Sequence, residues 1–298
     1  METHLAVFIF GFTGILGRLI DLDSPVLVWH RLWMASLLMF VYLSIIGKFR
    51  FISGRESIKF LLFSSTITIH WILFYGTIKY AGVSVAMICL SSATFFTAVL
   101  EPISLRKPVD KIQLLFSLLV MVGIWLIADA QQGGIGGIIM GLVSAFFSAL
   151  FTVLNKTIVN HYDSRLHTFY SLFGGFVLLS LFLPIFHEWK PDAVLMPSSS
   201  DWLYLFLLSF VCTFIAFNLF IRSLRYLSSF TANLSNNLEP VYGILLAFIF
   251  FKEYEMLGVG FYLGALLIIS SVMGEVFYQY YRFRKNKNRD KIYPGSIT

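Results

Sequence analysis

Apolar and polar positions follow one length scale along the chain: apolar runs of about 17 to 25 residues, parted by short polar or charged breaks, the length a helix needs to cross roughly 30 Å of hydrocarbon. The runs predict ten helical spans at roughly 4–20, 25–46, 57–78, 80–100, 111–128, 135–155, 166–186, 202–221, 228–250 and 256–280. The ten-residue alternating segments of a membrane barrel do not occur. One run breaks the pattern. Residues 228–243 read SSFTANLSNNLEPVYG and lead straight into ILLAFIFF before Lys252. Three asparagines, an acid and a proline therefore sit in a stretch that otherwise belongs in lipid, and something other than lipid must face them.

Composition agrees with the spans. The chain has 298 residues, 58% hydrophobic and 13% charged, against roughly 25% charged in a soluble domain. The expected fold class is an all-α polytopic membrane protein with no soluble domain. The first span has no basic flank before it, and Arg18 falls where a small-residue cleavage site would lie, so it reads as a retained helix rather than a signal peptide.

The formal net charge of +6 is spread by topology instead of gathered on one soluble face, so nucleic acid is not an expected partner. Of the 22 lysines and arginines, Lys79, Lys190 and Lys252 fall on external loops if the N-terminus is inside, and Arg18 and Arg31 fall within spans. All the others lie on inward-facing segments. That bias predicts cytoplasmic N- and C-termini and a multi-pass protein of the cell (inner) membrane. The basic tail, 282–298, reads as a topology signal and an anchor to anionic lipid. Arg31 is about six residues into the second span, shallow enough to snorkel to the interface, which favours a structural role. Cys89 and Cys212 lie mid-span without metal-ligand spacing, so neither a disulfide nor a metal site is expected. GGIGG at 133–137 follows no strand and lacks the third glycine of a dinucleotide fingerprint, and no cofactor is expected.

Ten spans divide into five and five, and an odd-numbered unit repeated once must lie inverted in the membrane. KYAGVSVAMICLSSATFFTAVL from Lys79 aligns with RYLSSFTANLSNNLEPVYGILL from Arg225 at an offset of 146. An offset of 138 would lay Glu101-Pro102 on Glu239-Pro240, but it matches a helix end to a mid-helix position, so 146 is preferred.

From Asn218 to Glu253 the chain reads NLFIRSLRYLSSFTANLSNNLEPVYGILLAFIFFKE. This resembles the second-repeat hallmark of EamA-type carriers of the drug/metabolite transporter superfamily: an SLRY turn, a mid-span Glu-Pro and a closing Glu after an apolar run. The first half matches less well, with Arg31 in span two and LRKP at 105–108 where the family often has an acid. The resemblance covers the whole chain. It implies two inverted five-helix repeats, 1–130 and 131–281, around a central cavity lined mainly by spans three, four, eight and nine. It also implies short first and sixth helices packed at close range. Gly11, Gly14 and Gly17, spaced by three, fit such packing on their own account.

The candidate substrate-binding residues come from intramembrane polarity. Asn233, Asn236, Asn237 and Pro240 fall on one helical face, with Glu239 beside it. Eleven residues beyond Ser228, Glu239 lies roughly 16 Å deep, where a charge costs about 2.5–3.5 kcal/mol and normally faces a cavity or a partner. Pro240 removes a helical hydrogen bond and frees the carbonyl of Asn236. On span three, His70 shares a face with Phe74, and Trp71 and Tyr75 lie one step round. On span four, Met87, Ser91 and Thr94 share a face; on span eight, Asn218 is a cap or a gate. Each has a plainer reading as packing or interhelical glue. Glu239 and His70 are the candidates for a coupling proton.

These features predict a small-molecule carrier working by alternating access, an exporter of amino acids or related metabolites. Amides, hydroxyls and one deep acid suit a neutral or zwitterionic solute, whereas a phosphorylated sugar would want several cations. HExxH, GxSxG and paired catalytic acids are absent, so an enzyme is not expected. The rival is a receptor or structural membrane protein, which would need neither inverted repeats nor a polar centre.

Overall fold

In hydrocarbon the backbone amides have nothing to bond but one another, which leaves helices and closed barrels as the spanning structures. The computed structural model describes residues 2–106, 108–130, 135–227, 229–236, 238–255 and 257–292, and contains no strand among them. Its α-helices are α1 (Glu2–Leu19), α2 (Ser24–Ile45), α3 (Gly54–Ala81), α4 (Val83–Ser91), α5 (Ala93–Leu105), α6 (Lys111–Ala130) and α7 (Ile135–Ile158). They continue with α8 (Ser164–Trp189), α9 (Ser199–Ser209), α10 (Ala216–Ser223), α11 (Ser229–Asn236), α12 (Leu238–Phe251) and α13 (Val259–Ile292). A π-helical turn, Phe210–Ile215, joins α9 to α10. Among the described residues, seven stretches are long and apolar enough to cross a membrane, with Val83–Leu105 and Ser199–Ser223 each counted as one, and Lys111–Ile127 and Leu238–Phe251 are shorter apolar helices.

Local sequence explains the boundaries. Ser53 opens α3 through a capping box with Glu56, and Ser198 opens α9 through one with Asp201, each pair satisfying two otherwise unbonded amides. Within the stretch expected to form span nine, the described residues are helical as α11 and α12, and Asn237 between them lies outside the described residues. The offset of 146 lays Leu105 on Phe251, so α5 and α12 end in register.

α3 packs along α7, α6 along α13 and α2 along α8, while α1 runs against α12 and α10. The glycines of α1 make its close approaches possible. A Cβ would lie 2.7 Å from Tyr242 at Gly11, 2.6 Å from Met87 at Gly14 and 2.3 Å from the Tyr75 ring at Gly17. These contacts set α1 against α12, α4 and α3 in turn, which puts the middle of α1 at the wall of the central cavity.

Candidate functional site

The central cavity has a volume of about 60 Å³ and takes its wall from both halves of the chain. Phe10 and Thr13 come from α1, Arg31 from α2, and His70, Trp71 and Phe74 from α3. Phe151 and Thr152 come from α7, Phe217 and Phe220 from α10, Asn236 from α11 and Glu239 from α12. The expected lining by spans three, four, eight and nine is present, with Leu90 and Ala93 for span four. The first, second and sixth spans contribute as well. α1 and α7, at 18 and 24 residues, are not unusually short.

Arg31 departs most from its sequence reading. It does not snorkel: its side chain is buried, with 2% of the residue exposed. Its Nε donates to Thr213 Oγ1 at 2.7 Å and its Nη1 to the Tyr75 hydroxyl at 2.7 Å. The guanidinium lies 3.7 Å from the centroid of the Trp71 ring, a cation–π contact that strengthens when desolvated. The π-helical turn contributes directly, because Thr213 Oγ1 donates its one hydrogen to Leu208 O at 2.8 Å and so turns a lone pair toward Arg31. The signal that picked out Glu239, a charge inside an apolar run, would have found Arg31 too.

Glu239 is buried and lines the same cavity, and the Arg31 charge and the Thr13 hydroxyl act on its carboxyl group. The two charges are not a described ion pair; those pairs are Lys190 with Asp23 and Arg222 with Glu2. Asn236 lines the cavity with its Oδ1 buried and unbonded. His70 Nδ1 lies 3.0 Å from Ser144 O and 2.9 Å from Ser144 Oγ, and that hydroxyl in turn donates to His70 O at 2.9 Å. A carbonyl only accepts, so Nδ1 carries the hydrogen and Nε2 is the acceptor of the neutral ring. The wall thus offers a cation, a carboxyl group, an amide and an imidazole on an aromatic lining.

Of the other residues singled out from sequence, Tyr75 stands behind the wall as the anchor of Arg31. Met87 is fully buried and fills the seam between Gly14 and Gly243, away from the cavity. Ser91 and Pro240 line a separate apolar groove between α12 and α13. Pro240 therefore does not share the face of Asn236; the cavity-facing pair is Asn236 and Glu239. Thr94 is buried with its hydroxyl donated to Ser91 O at 2.9 Å, within its own chain segment. Asn218 meets Thr168 at 3.4 Å, off the cavity. Asn237 and the side chain of Asn233 lie outside the described residues and side chains.

Polar contacts tie the helices together at two places away from the cavity wall. Beside the C-terminus of α3, the Glu253 carboxylate accepts from Val83 N at 2.9 Å and Ser84 N at 2.8 Å, capping α4 from the other half of the chain. There too, Lys79 Nζ donates to Ile20 O at 2.8 Å and Asp21 N to Asp201 Oδ1 at 2.9 Å. Glu253, read from sequence as the closing acid of a hallmark, is thus a helix cap that joins the two halves. At the opposite end Lys156 Nζ donates to Leu224 O at 2.6 Å, Arg225 bonds Tyr162 O and Arg222 bonds Glu2. The SLRY turn lies in this second set of contacts.

The family model of the EamA-like transporter family matches residues 3–128 and 135–276. No curated protein matches the chain. A solved structure titled only "Crystal structure of protein" superimposes with a TM-score of 0.67, over 91% of this chain and 93% of its own, at 12% sequence identity. At that identity the likeness concerns the fold. With nearly the whole chain matched in two successive stretches, this protein belongs to the EamA-like transporter family and is a multi-pass membrane transporter.

Proposed function

We propose that this transporter exports amino acids or closely related metabolites from the cytoplasm by alternating access. Ten membrane helices would form two inverted five-helix repeats, 1–130 and 131–281, with both termini and the basic tail, 282–298, inside. The observation that carries this reading is a small cavity, walled by both halves of the chain, that places a guanidinium and a carboxyl group on an aromatic lining. Room of about 60 Å³ holds only a handful of waters, at roughly 10–15 Å³ each. Solute entry therefore requires the halves to part. The closure made by Glu253 would be the external one and that made by the SLRY turn the cytoplasmic one, so opening one while keeping the other gives alternating access.

Purified protein in liposomes, offered a panel of labelled amino acids, should move at least one of them across the bilayer chemically unchanged, with or without a pH gradient. Failure to move any solute would favour a receptor or structural role. Topology is tested separately. Single cysteines at Ser53 and Ser199, both exposed, should react with an impermeant reagent in intact cells only at Ser199. Labelling at Ser53 alone would turn the arrangement over.

A further inference from the structure

We propose that Arg31 is the carboxylate-recognising residue of the cavity, holding the acid end of a solute whose cationic end faces Glu239. This rests on the carrier reading and adds to it a chemical requirement: the solute must carry a free carboxylate. Arginine is cationic throughout the accessible pH range and offers five N–H donors. Two of its nitrogens are engaged here, Nε by Thr213 and Nη1 by Tyr75. Both partners are neutral hydroxyls, so they orient the guanidinium without neutralising it. A buried charge normally needs a counter-charge in contact with it, yet neither described ion pair includes Arg31. Glu239 acts on it electrostatically from elsewhere on the same cavity wall.

The support is rigid and comes from three directions. Thr213 is held by the π-helical turn through Leu208 O, Tyr75 is fixed against Gly17 of α1, and Trp71 underlies the guanidinium at 3.7 Å. A planar cation stacked on an indole and pinned at two nitrogens is preorganised for a carboxylate in a way a lysine ammonium is not. The plainer account is that Arg31 merely balances Glu239. The two accounts differ in what they require of the solute.

The test uses the full chain in liposomes and in detergent, with L-leucine, L-phenylalanine and L-threonine against their carboxamides. The carboxamides keep the amino group and side chain but lose the negative charge. In the parent, the acids should compete for flux at least tenfold better than the amides, and the acids alone should raise the melting temperature. Tyr75→Phe and Thr213→Val remove one anchor each and keep most of the packing. Both should raise KM for the acids more than they lower kcat and narrow the acid-to-amide ratio, and Arg31→Lys should narrow it further. Equal competition by acids and amides in a parent that transports both leaves the carrier reading standing and overturns the role of Arg31. So does an unchanged ratio in the folded Tyr75 and Thr213 variants. The melting measurement is a second readout of Arg31: stabilisation by acids alone supports the proposal, while equal or no stabilisation in a parent that transports the acids overturns it. Absence of flux for every solute counts against the carrier reading instead.

Discussion

Glu239→Gln should yield a folded protein whose transport falls roughly ten- to a hundredfold, because a hydrogen bond to a charged group is worth about 1.5–3 kcal/mol. The substitution keeps the shape of the side chain and most of its bonding capacity and removes only the ionisable oxygen. Yield should hold or improve, since the buried side chain no longer has a charge to solvate. Glu239→Ala should lower transport as far and also reduce yield, by leaving the groups that face the carboxyl without a partner. The pH profile of flux separates recognition from coupling. A profile that flattens in the glutamine variant assigns the coupling proton to Glu239. An unchanged slope leaves His70, the other titratable side chain on the wall beside the permanently charged Arg31. Parental transport by Glu239→Gln at every pH, with Glu239→Ala merely expressing poorly, would reduce the acid to structural glue.

Gly264→Ala should have the largest effect on stability while sparing the site. A Cβ at Gly264 would lie 2.4 Å from the Gly123 carbonyl oxygen and 2.6 Å from Ile127, and one at Gly123 would lie 2.8 Å from the Gly264 carbonyl oxygen. At Gly264 the nearest obstacle is backbone, which cannot rotate away as a side chain can. Lipid tails are as apolar as leucine, so helix association in the membrane depends on such close packing. Forcing α6 and α13 apart should cost about 1–3 kcal/mol, read as a lower melting temperature and yield. Among the described residues neither helix contributes a side chain to the cavity wall, so KM per folded molecule should be unaffected. Gly136→Ala is the control, since its nearest atom would lie 3.7 Å away in ordinary contact. A Gly264→Ala protein as stable as the parent would mean that the two helices do not meet at this pair.

Much of this architecture is legible in the sequence because the bilayer imposes a coarse rule. Each crossing needs about twenty apolar residues, and the predicted 25–46 and 111–128 lie within two residues of Ser24–Ile45 and Lys111–Ala130. Glu239 and Asn236 were likewise readable, because an intramembrane polar group is too costly to leave facing lipid. The rule stops at the helix surface. Periodicity says that Met87, Ser91 and Thr94 share a face, but not what that face meets. α4 is buried on all sides, so a glycine seam took Met87, an apolar groove took Ser91, and Thr94 satisfied its hydroxyl on a nearby carbonyl. Arg31 was misjudged because depth from the membrane edge does not say in which direction a long side chain turns. Tyr75, Thr213 and Trp71, brought together from α3 and a π-helical turn far away in sequence, turn it inward. The sequence by itself determined which segments are apolar enough to enter a membrane and which polar residues need shelter there, since both follow from the local cost of burial in hydrocarbon. Only the tertiary structure decided which of those residues share a cavity, because that depends on helix rotation and contact between distant segments, which a local transfer cost does not encode.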